Sequence, residues 1–400
     1  MSEQSASSPT EQQVIEALRS VMDPELNKDL VTLNMIENVT VTDSNVALSL
    51  VLTTPACPKK NEIRQAVEAA AAAVPGVTAV NVTVTARVPG HGGFPDKQPL
   101  PGVANVVAVA SGKGGVGKSA VAVNLAVALA QSGAKVGLLD GDIYGPSIPL
   151  MMGVTERPSV SGERILPLRK YGVELMSIGF LIPPDSPVIW RGPMVSKALE
   201  KLLRETEWSA LDYLIIDMPP GTGDAQLTLA QQLVVAGAVI VTTPQDVAMA
   251  DAVRGIGMFR KVGIPILGVV ENMSYFKCPE CGQRTPIFGR GTTVKVCKQH
   301  NVPFLGDIPL DPIIRESGDA GKPVVIAEPE SGVAAAFREL ASAVAAKLSV
   351  ENLSRPQGAE PGSGIPAGST RAAGVLPVVH ALDSSSAPGG GVDHAEDDTR

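Results

Sequence analysis

The sequence predicts an α/β chain with a mainly parallel sheet, preceded by a small α+β domain and followed by a disordered tail. Five short apolar runs, "VANVVAVA", "KVGLLD", "YLIIDMP", "AVIVTTP" and "ILGVVENM", alternate with helical patterns between residues 103 and 349. Strands apolar on both faces and separated by helices belong to a parallel sheet covered on both sides. The first run leads into "SGKGGVGKS" at residues 111–119, which a helical stretch, "SAVAVNLAVALAQSG", follows. That order of strand, glycine-rich loop and helix is the context of a phosphate-binding loop, so the fold class is a P-loop NTPase. The flanks differ in composition from this middle.

Residues 1–10 are polar and predicted disordered. From 11 to 88 a compact α+β unit is expected. Val14, Ile15, Leu18, Val21 and Met22 have helical spacing. Two strand-like stretches follow, "MIENVTVT" and "NVALSLVLT", with a turn at Asp43 and Ser44. A second helix, "KKNEIRQAVEAAAAAV", is stopped by Pro75 and Gly76 before the alternating strand "VTAVNVTVTARV". Residues 89–102, "PGHGGFPDKQPLPG", have the Pro and Gly density of a linker, in which His91 is expected to be solvated. The ATPase domain is expected over 103–349. Beyond it, residues 350–400 are rich in Pro, Gly, Ser and acid and lack the apolar area to offset chain entropy.

With 400 residues, the chain is long enough for two domains and a tail. A formal charge of -8 gives no electrostatic footprint for nucleic acid, so no nucleic-acid partner is expected. The start "MSEQSASSPTEQQ" lacks the basic flank and apolar core of a signal peptide. Nor does any apolar run approach the ~20 residues of a bilayer crossing. No membrane partner and a cytoplasmic location are the expectation. Four cysteines, two of them in a C-x-x-C pair, suit reduced thiols available to metal better than a disulfide framework.

Gly112, Gly117, Lys118 and Ser119 satisfy G-x-x-x-x-G-K-[ST], with Lys113, Gly114, Gly115 and Val116 between. Glycines let backbone N–H groups close around phosphate oxygens of ATP. The helix N-terminus adds a favourable dipole, Lys118 neutralises β/γ charge and Ser119 offers its hydroxyl to Mg²⁺. Asp217 ends "YLIIDMPP" and is expected to reach Mg²⁺ through water. Asp140 and Asp142 end "KVGLLDGD" on the same carboxyl edge of the sheet, and Asp142, first to leave the strand, is the better candidate to orient attacking water. "PPGTGD" has the glycines of a loop that changes shape when the γ-phosphate leaves.

Together, "SGKGGVGKS", "LLDGDIYGPS", "LIIDMPPGTGDAQLTL" and "ENMSYFKCPECG" resemble the Mrp/ApbC family of iron–sulfur cluster carrier ATPases. These are deviant Walker A NTPases related to MinD, ParA and the nitrogenase iron protein. The front unit is similar to the metal–sulfur cluster assembly domain that often precedes this ATPase, and "DPEL" and "LTTPACP" carry that part. The resemblance implies that Lys113 crosses a nucleotide-bridged homodimer to touch the partner's phosphates, although a solvated loop lysine is the plainer alternative. It implies that Asn272, in "ENMS", recognises adenine through its amide; a capping asparagine at a strand end is the alternative. Apo iron–sulfur proteins are the implied recipients, with ATP hydrolysis gating delivery. A MinD- or ParA-like positioning ATPase shares the loop and Lys113 but has no need of "CPEC".

Two thiolates, Cys278 and Cys281, cannot complete a four-cysteine cluster, whereas two chains supply four. A [4Fe–4S] cluster bridging the dimer agrees with the implied chemistry. A second count competes: with Cys297 and His300 the pair spells C-x2-C-x15-C-x2-H, close to a zinc-ribbon spacing, and would give a zinc-containing ATPase with a Cys3His site. A buried small hydrophobe is the plainer alternative for Cys297, and a pair that holds no metal is the third possibility. Cys57, ahead of a helix and beside Lys59 and Lys60, is expected to have a lowered pKa.

Overall fold

A computed structural model describes residues 9–91, 99–181, 192–223, 226 and 233–354. The segments expected to be disordered, 1–10 and 350–400, lie outside the described residues apart from 9–10 and 350–354, and most of the "linker" core, 92–98, does too. Residues 350–354 are helical, so the last helix runs past the expected boundary at 349.

In the small domain, Thr10 and Gln13 form a reciprocal capping box that starts helix α1 (Glu11–Leu18). Val21 and Met22, given helical spacing by the sequence, lie beyond its end. Strands β1 (Ile36–Thr42) and β2 (Asn45–Leu52) form an antiparallel hairpin whose turn places Asp43 at φ 58°. Helix α2 (Lys60–Ala72) then returns the chain so that β3 (Ala79–Ala86) pairs parallel with β2. Val14 and Leu18 of α1, Ile63 and Val67 of α2, and Leu48 and Leu50 of β2 form one core.

Past the linker come β4 (Val106–Ser111), α3 (Lys118–Gln131), β5 (Val136–Asp140), α4 (Ile148–Met151), a hairpin of β6 (Val160–Ser161) and β7 (Arg164–Ile165), β8 (Leu168–Lys170) and β9 (Val173–Ser177). They are followed by α5 (Gly192–Glu205), β10 (Tyr213–Asp217), β11 (Gly237–Thr242), α6 (Asp246–Lys261), β12 (Ile266–Glu271) and a hairpin of β13 (Phe276–Lys277) and β14 (Arg284–Thr285). The domain closes with α7 (Thr292–Gln299), β15 (Phe304–Asp307), α8 (Pro312–Asp319), α9 (Val324–Ala327) and α10 (Gly332–Ser354). Eight strands make one sheet in the order β15-β12-β11-β4-β10-β5-β9-β8, parallel except where β8 meets β9. This is the α/β fold with a mainly parallel sheet that the apolar runs predict.

The five runs are β4, β5, β10, β11 and β12, and every residue of the first four is buried. Three strands of the sheet carry no such signal. β9 is interrupted by Glu174, which is buried only because Arg169 and the Ser209 N–H bind its carboxylate. β8 and β15 are short edge strands, the kind that tolerate charge. Helix α3 is buried on nearly every side from Val121 to Leu129 because α10 covers the face that the sheet does not.

Two seams attach the segments before β4 to this domain. Tyr213 Oη donates to Thr54 Oγ1 at 3.1 Å in a buried contact, and Ala56 packs into the same apolar cluster as α3. His91 is buried rather than solvated, with Nδ1 2.9 Å from Asn352 Oδ1. Asn352 Nδ2 in turn donates to Pro89 O and to Asn105 Oδ1, so α10 is held to the linker by a buried polar network.

Candidate functional site

The chain leaves central β4 toward β5 on one side and has β11 on the other, which opens a crevice at the carboxyl ends of the strands. Ser111, Asp140, Asp217 and Glu271 each end a strand at that edge, with Asp217 in register with Asp140. The loop 112–117 fills the crevice. Gly115 and Gly117 have φ +82° and +80°, left-handed values that turn the loop back into α3. A Cβ on Gly112 would lie 2.3 Å from the Asp251 carbonyl carbon of α6, and one on Gly117 would lie 2.2 Å from Asn272 Nδ2. Ser111 Oγ donates to the Lys113 carbonyl at 2.9 Å. The Lys113 side chain is half-buried and forms no ion pair among the described residues. Gly114 lies at the exposed turn of the loop, and Val116 is buried beneath it.

Lys118 Nζ is 2.5 Å from Asp217 Oδ1, and Ser119 Oγ donates to Asp217 Oδ2 at 2.6 Å. Burial pushes the Asp217 carboxyl up, against the opposing pull of Lys118 and the Ser119 hydroxyl. Ser119 Oγ would take one position on an octahedral Mg²⁺, and Asp217, bonded to that hydroxyl, would reach the ion through a bound water. Asp140 lies deeper. Its carboxylate accepts N–H groups of Asp142 and Ile148 and the Ser177 hydroxyl, and burial, with Asp217 nearby, pushes its pKa to about 7. Asp140 thus shapes the turn after β5, whereas Asp142 lines the cavity over the loop.

That cavity, about 310 Å³, is walled by Gly114, Gly115, Lys118, Ser119, Asp142 and Pro220. A second, about 370 Å³, continues from it, sharing Gly117, Ala120 and Met151, and is lined by Asn272, Met273, Leu310 and Asp311. A compartment walled by Lys118, Ser119 and Asp142 and a largely apolar one in series suit the phosphates and the nucleoside of a nucleotide. Asn272 donates Nδ2 to Val116 O at 2.8 Å, which ties it to the loop and leaves its amide oxygen and the second Nδ2 hydrogen for a base. Pro220 of "PPGTGD" and Met151, which no motif marks, complete the walls. In "PPGTGD", the Gly221 N–H donates to Ser111 O, while Asp224 lies outside the described residues. Another cavity, about 790 Å³, is lined by the Pro24 turn and α10 and holds none of these groups.

Cys278 and Cys281 sit at the turn of the β13–β14 hairpin, where the Gly282 N–H bonds Cys278 O. Peptide N–H groups of Cys281 and Glu280 donate to the Cys278 sulfur and hold its thiol below the usual range. A sulfur cradled by amides within a C-x-x-C turn is prepared to be a thiolate ligand. The Cys3His alternative does not assemble. Cys297 is buried among Ile256, Phe259 and Val302, its thiol pushed up to about 11 by burial and Glu271, and His300 ends α7. Among the described residues, no group of three His, Cys, Asp or Glu side chains is arranged for a metal. Spacing misled because α7 packs its Cys297 face onto the sheet, away from the hairpin. Cys57 is also corrected: burial, Glu25 and Asp23 raise its pKa, outweighing Lys59.

Residues 102–345 match the family of NUBPL iron-transfer P-loop NTPases, and residues 11–84 match that of iron–sulfur cluster assembly proteins. The chain belongs to the NUBPL iron-transfer P-loop NTPase family. Within it, the chain is 52% identical over 346 residues to the iron–sulfur cluster carrier protein of Synechocystis sp., covering 85% of this chain and 98% of that one. To the iron–sulfur cluster carrier protein of Escherichia coli it is 46% identical over 333 residues, covering 83% and 90%. A solved nucleotide-binding protein of Archaeoglobus fulgidus, in complex with ADP and with Co found by PIXE, aligns with a TM-score of 0.52 at 39% identity over 59% of this chain and 93% of that one.

Proposed function

We propose that this chain is an ATP-dependent iron–sulfur cluster carrier. Two copies hold a [4Fe–4S] cluster as cargo through Cys278 and Cys281 of each, and ATP hydrolysis gates its transfer to apo iron–sulfur proteins. The observation that carries this function is the continuity of one segment. Asn272 lines the nucleoside cavity and bonds the phosphate loop, and six residues later Cys278 presents an amide-cradled sulfur. Few segments could link a nucleotide to a soft-metal site more directly.

Within this proposal the loop amides and Lys118 bind the phosphates. Ser119 and, through water, Asp217 would hold Mg²⁺, which would supply charge neutralisation at the phosphates. Lys118 exchanges its Asp217 partner for phosphate oxygens, which frees the carboxylate toward the metal. Asp142 orients the water that attacks the γ-phosphorus as the bond to the bridging oxygen breaks. Lys113, extended from the second copy, offsets charge on the transferring group, so hydrolysis depends on assembly.

Anaerobic reconstitution with iron and sulfide, followed by transfer to an apo-acceptor with and without ATP and Mg²⁺, tests the function. About four irons and four sulfides per dimer are expected, lost in Cys278→Ser, together with a transfer rate that responds to ATP. Zinc without sulfide would remove the carrier function, and a transfer rate indifferent to ATP would remove the gating.

A further inference from the structure

Glu271 ends β12 one residue before Asn272, and it is 5% exposed. No cation pairs with it among the described residues. Its carboxylate is instead satisfied by two hydroxyls, one on each oxygen: Ser274 Oγ donates to Oε1 at 2.5 Å, and Thr293 Oγ1 donates to Oε2. Ser274 precedes the cysteine hairpin and Thr293, in the first turn of α7, follows it. The whole excursion from 275 to 292, with Cys278 and Cys281 at its turn, therefore begins and ends on one buried carboxylate.

The same few residues reach the nucleotide site. Asn272 receives its position from two bonds, N–H to Thr242 O at 2.8 Å and Nδ2 to Val116 O at 2.8 Å. Met273, which lines the nucleoside cavity, is held at φ 56°, a left-handed value that a side-chain-bearing residue keeps only when its neighbours fix it. Glu271 and Ser274 are those neighbours, bonded to each other across Asn272 and Met273. Thr293 Oγ1 also lies 3.4 Å from Met249 Sδ of α6, the helix whose Asp251 backbone abuts Gly112. A buried carboxylate that depends on two hydroxyls, one on each oxygen, has few alternative geometries, because a lost partner leaves charge unsatisfied.

We propose that Glu271 is a positioning residue that clasps both ends of the cysteine hairpin and transmits nucleotide occupancy at Asn272 and Met273 to Cys278 and Cys281. The clasp deepens the carrier function proposed above and rests on it for its purpose, but its mechanical content can be read without a cluster. Movement of Met273 or of the loop at Val116 shifts Glu271, and both hydroxyls follow.

The test uses the full chain without reconstituted cluster. Alkylation of Cys278 and Cys281 by iodoacetamide is followed residue by residue by mass spectrometry, with and without saturating ATP and Mg²⁺. In the wild type, ATP is expected to change the alkylation rate by about fivefold or more. Thr293→Val keeps the side-chain shape and removes the hydroxyl; it should cut that response to less than about 1.5-fold while leaving the ATP KM within about twofold. Thr293→Ser, which keeps the hydroxyl, should restore the response, and Ser274→Ala should behave like the valine variant. A wild-type rate unchanged by ATP overturns the clasp, as does a full response in Thr293→Val or a failure of Thr293→Ser to restore it. Loss of the carrier function alone would appear as missing iron and sulfide beside an intact thiol response.

Discussion

Lys118 Nζ and Asp217 Oδ1 are 2.5 Å apart in an ion pair whose side chains are 6% and 0% exposed. The lysine that should serve phosphate is thus bound to the acid that should serve Mg²⁺, and neither charge meets bulk water. Such a pair bears on the fold's stability as well as on the proposed chemistry.

Removing the cation leaves Asp217 with only the Ser119 hydroxyl, and an uncompensated buried charge costs about 3–5 kcal/mol. Lys118→Ala is therefore expected to lose nucleotide binding and to melt well below the wild type. Lys113→Ala should separate from it. Its half-exposed side chain holds no ion pair among the described residues, so thermal stability and ADP affinity should stay near wild type. Turnover should fall by about 10³-fold if a cation arrives in trans. Calorimetric ADP titration, thermal melts and single-turnover hydrolysis distinguish the two variants, and ATP-dependent association measured by sedimentation should vanish in Lys113→Ala. Unchanged turnover and association in that variant would make Lys113 an ordinary loop lysine.

Asp140 gives the fold a pH dependence of unusual sign. Its folded pKa is raised to about 7 from 3.8, mainly by burial, so the folded chain holds a proton that the unfolded chain has released. Stability from this group is fully present below 3.8 and is lost as pH rises through about 7, because in that window the native state binds more protons. The urea midpoint of the wild type should fall between pH 5 and pH 8. In Asp140→Asn that slope should flatten, whatever the variant's absolute stability. An equal slope in both proteins would assign the titration elsewhere.

The sequence made the phosphate loop legible because its chemistry requires contiguous residues: glycines that turn, a lysine and a hydroxyl. The five central strands were legible for a related reason, since burial on both faces leaves no polar positions to confuse the pattern. Contacts between distant segments left no comparable trace. Cys297 and His300 fit a metal spacing, yet α7 turns the thiol into the core. His91 lies in a run of Pro and Gly, yet it is buried because Asn352, far along the chain, meets it. Nothing in the sequence pairs Glu271 with Thr293, 22 residues away, and only folding brings them together.

Two glycines of the same loop are constrained in different ways. Gly112 has backbone behind it: a Cβ there would fall 2.3 Å from the Asp251 carbonyl carbon, and α6 cannot yield as a flexible side chain would. Gly115 has a left-handed φ of +82° but nothing within 4 Å of its would-be Cβ. Alanine at 115 therefore costs about 1–2 kcal/mol of backbone strain and little more. Alanine at 112 must push the loop off α6, an overpacking that costs about 1–3 kcal/mol or more and displaces the residues that contact phosphate. Measured without nucleotide, the melting temperature of Gly112→Ala should fall further than that of Gly115→Ala. ADP affinity should also drop in Gly112→Ala, since the loop amides proposed to meet the phosphates shift with the loop. A larger loss of thermal stability in Gly115→Ala would mean that φ, rather than the packing of the loop on α6, limits this turn.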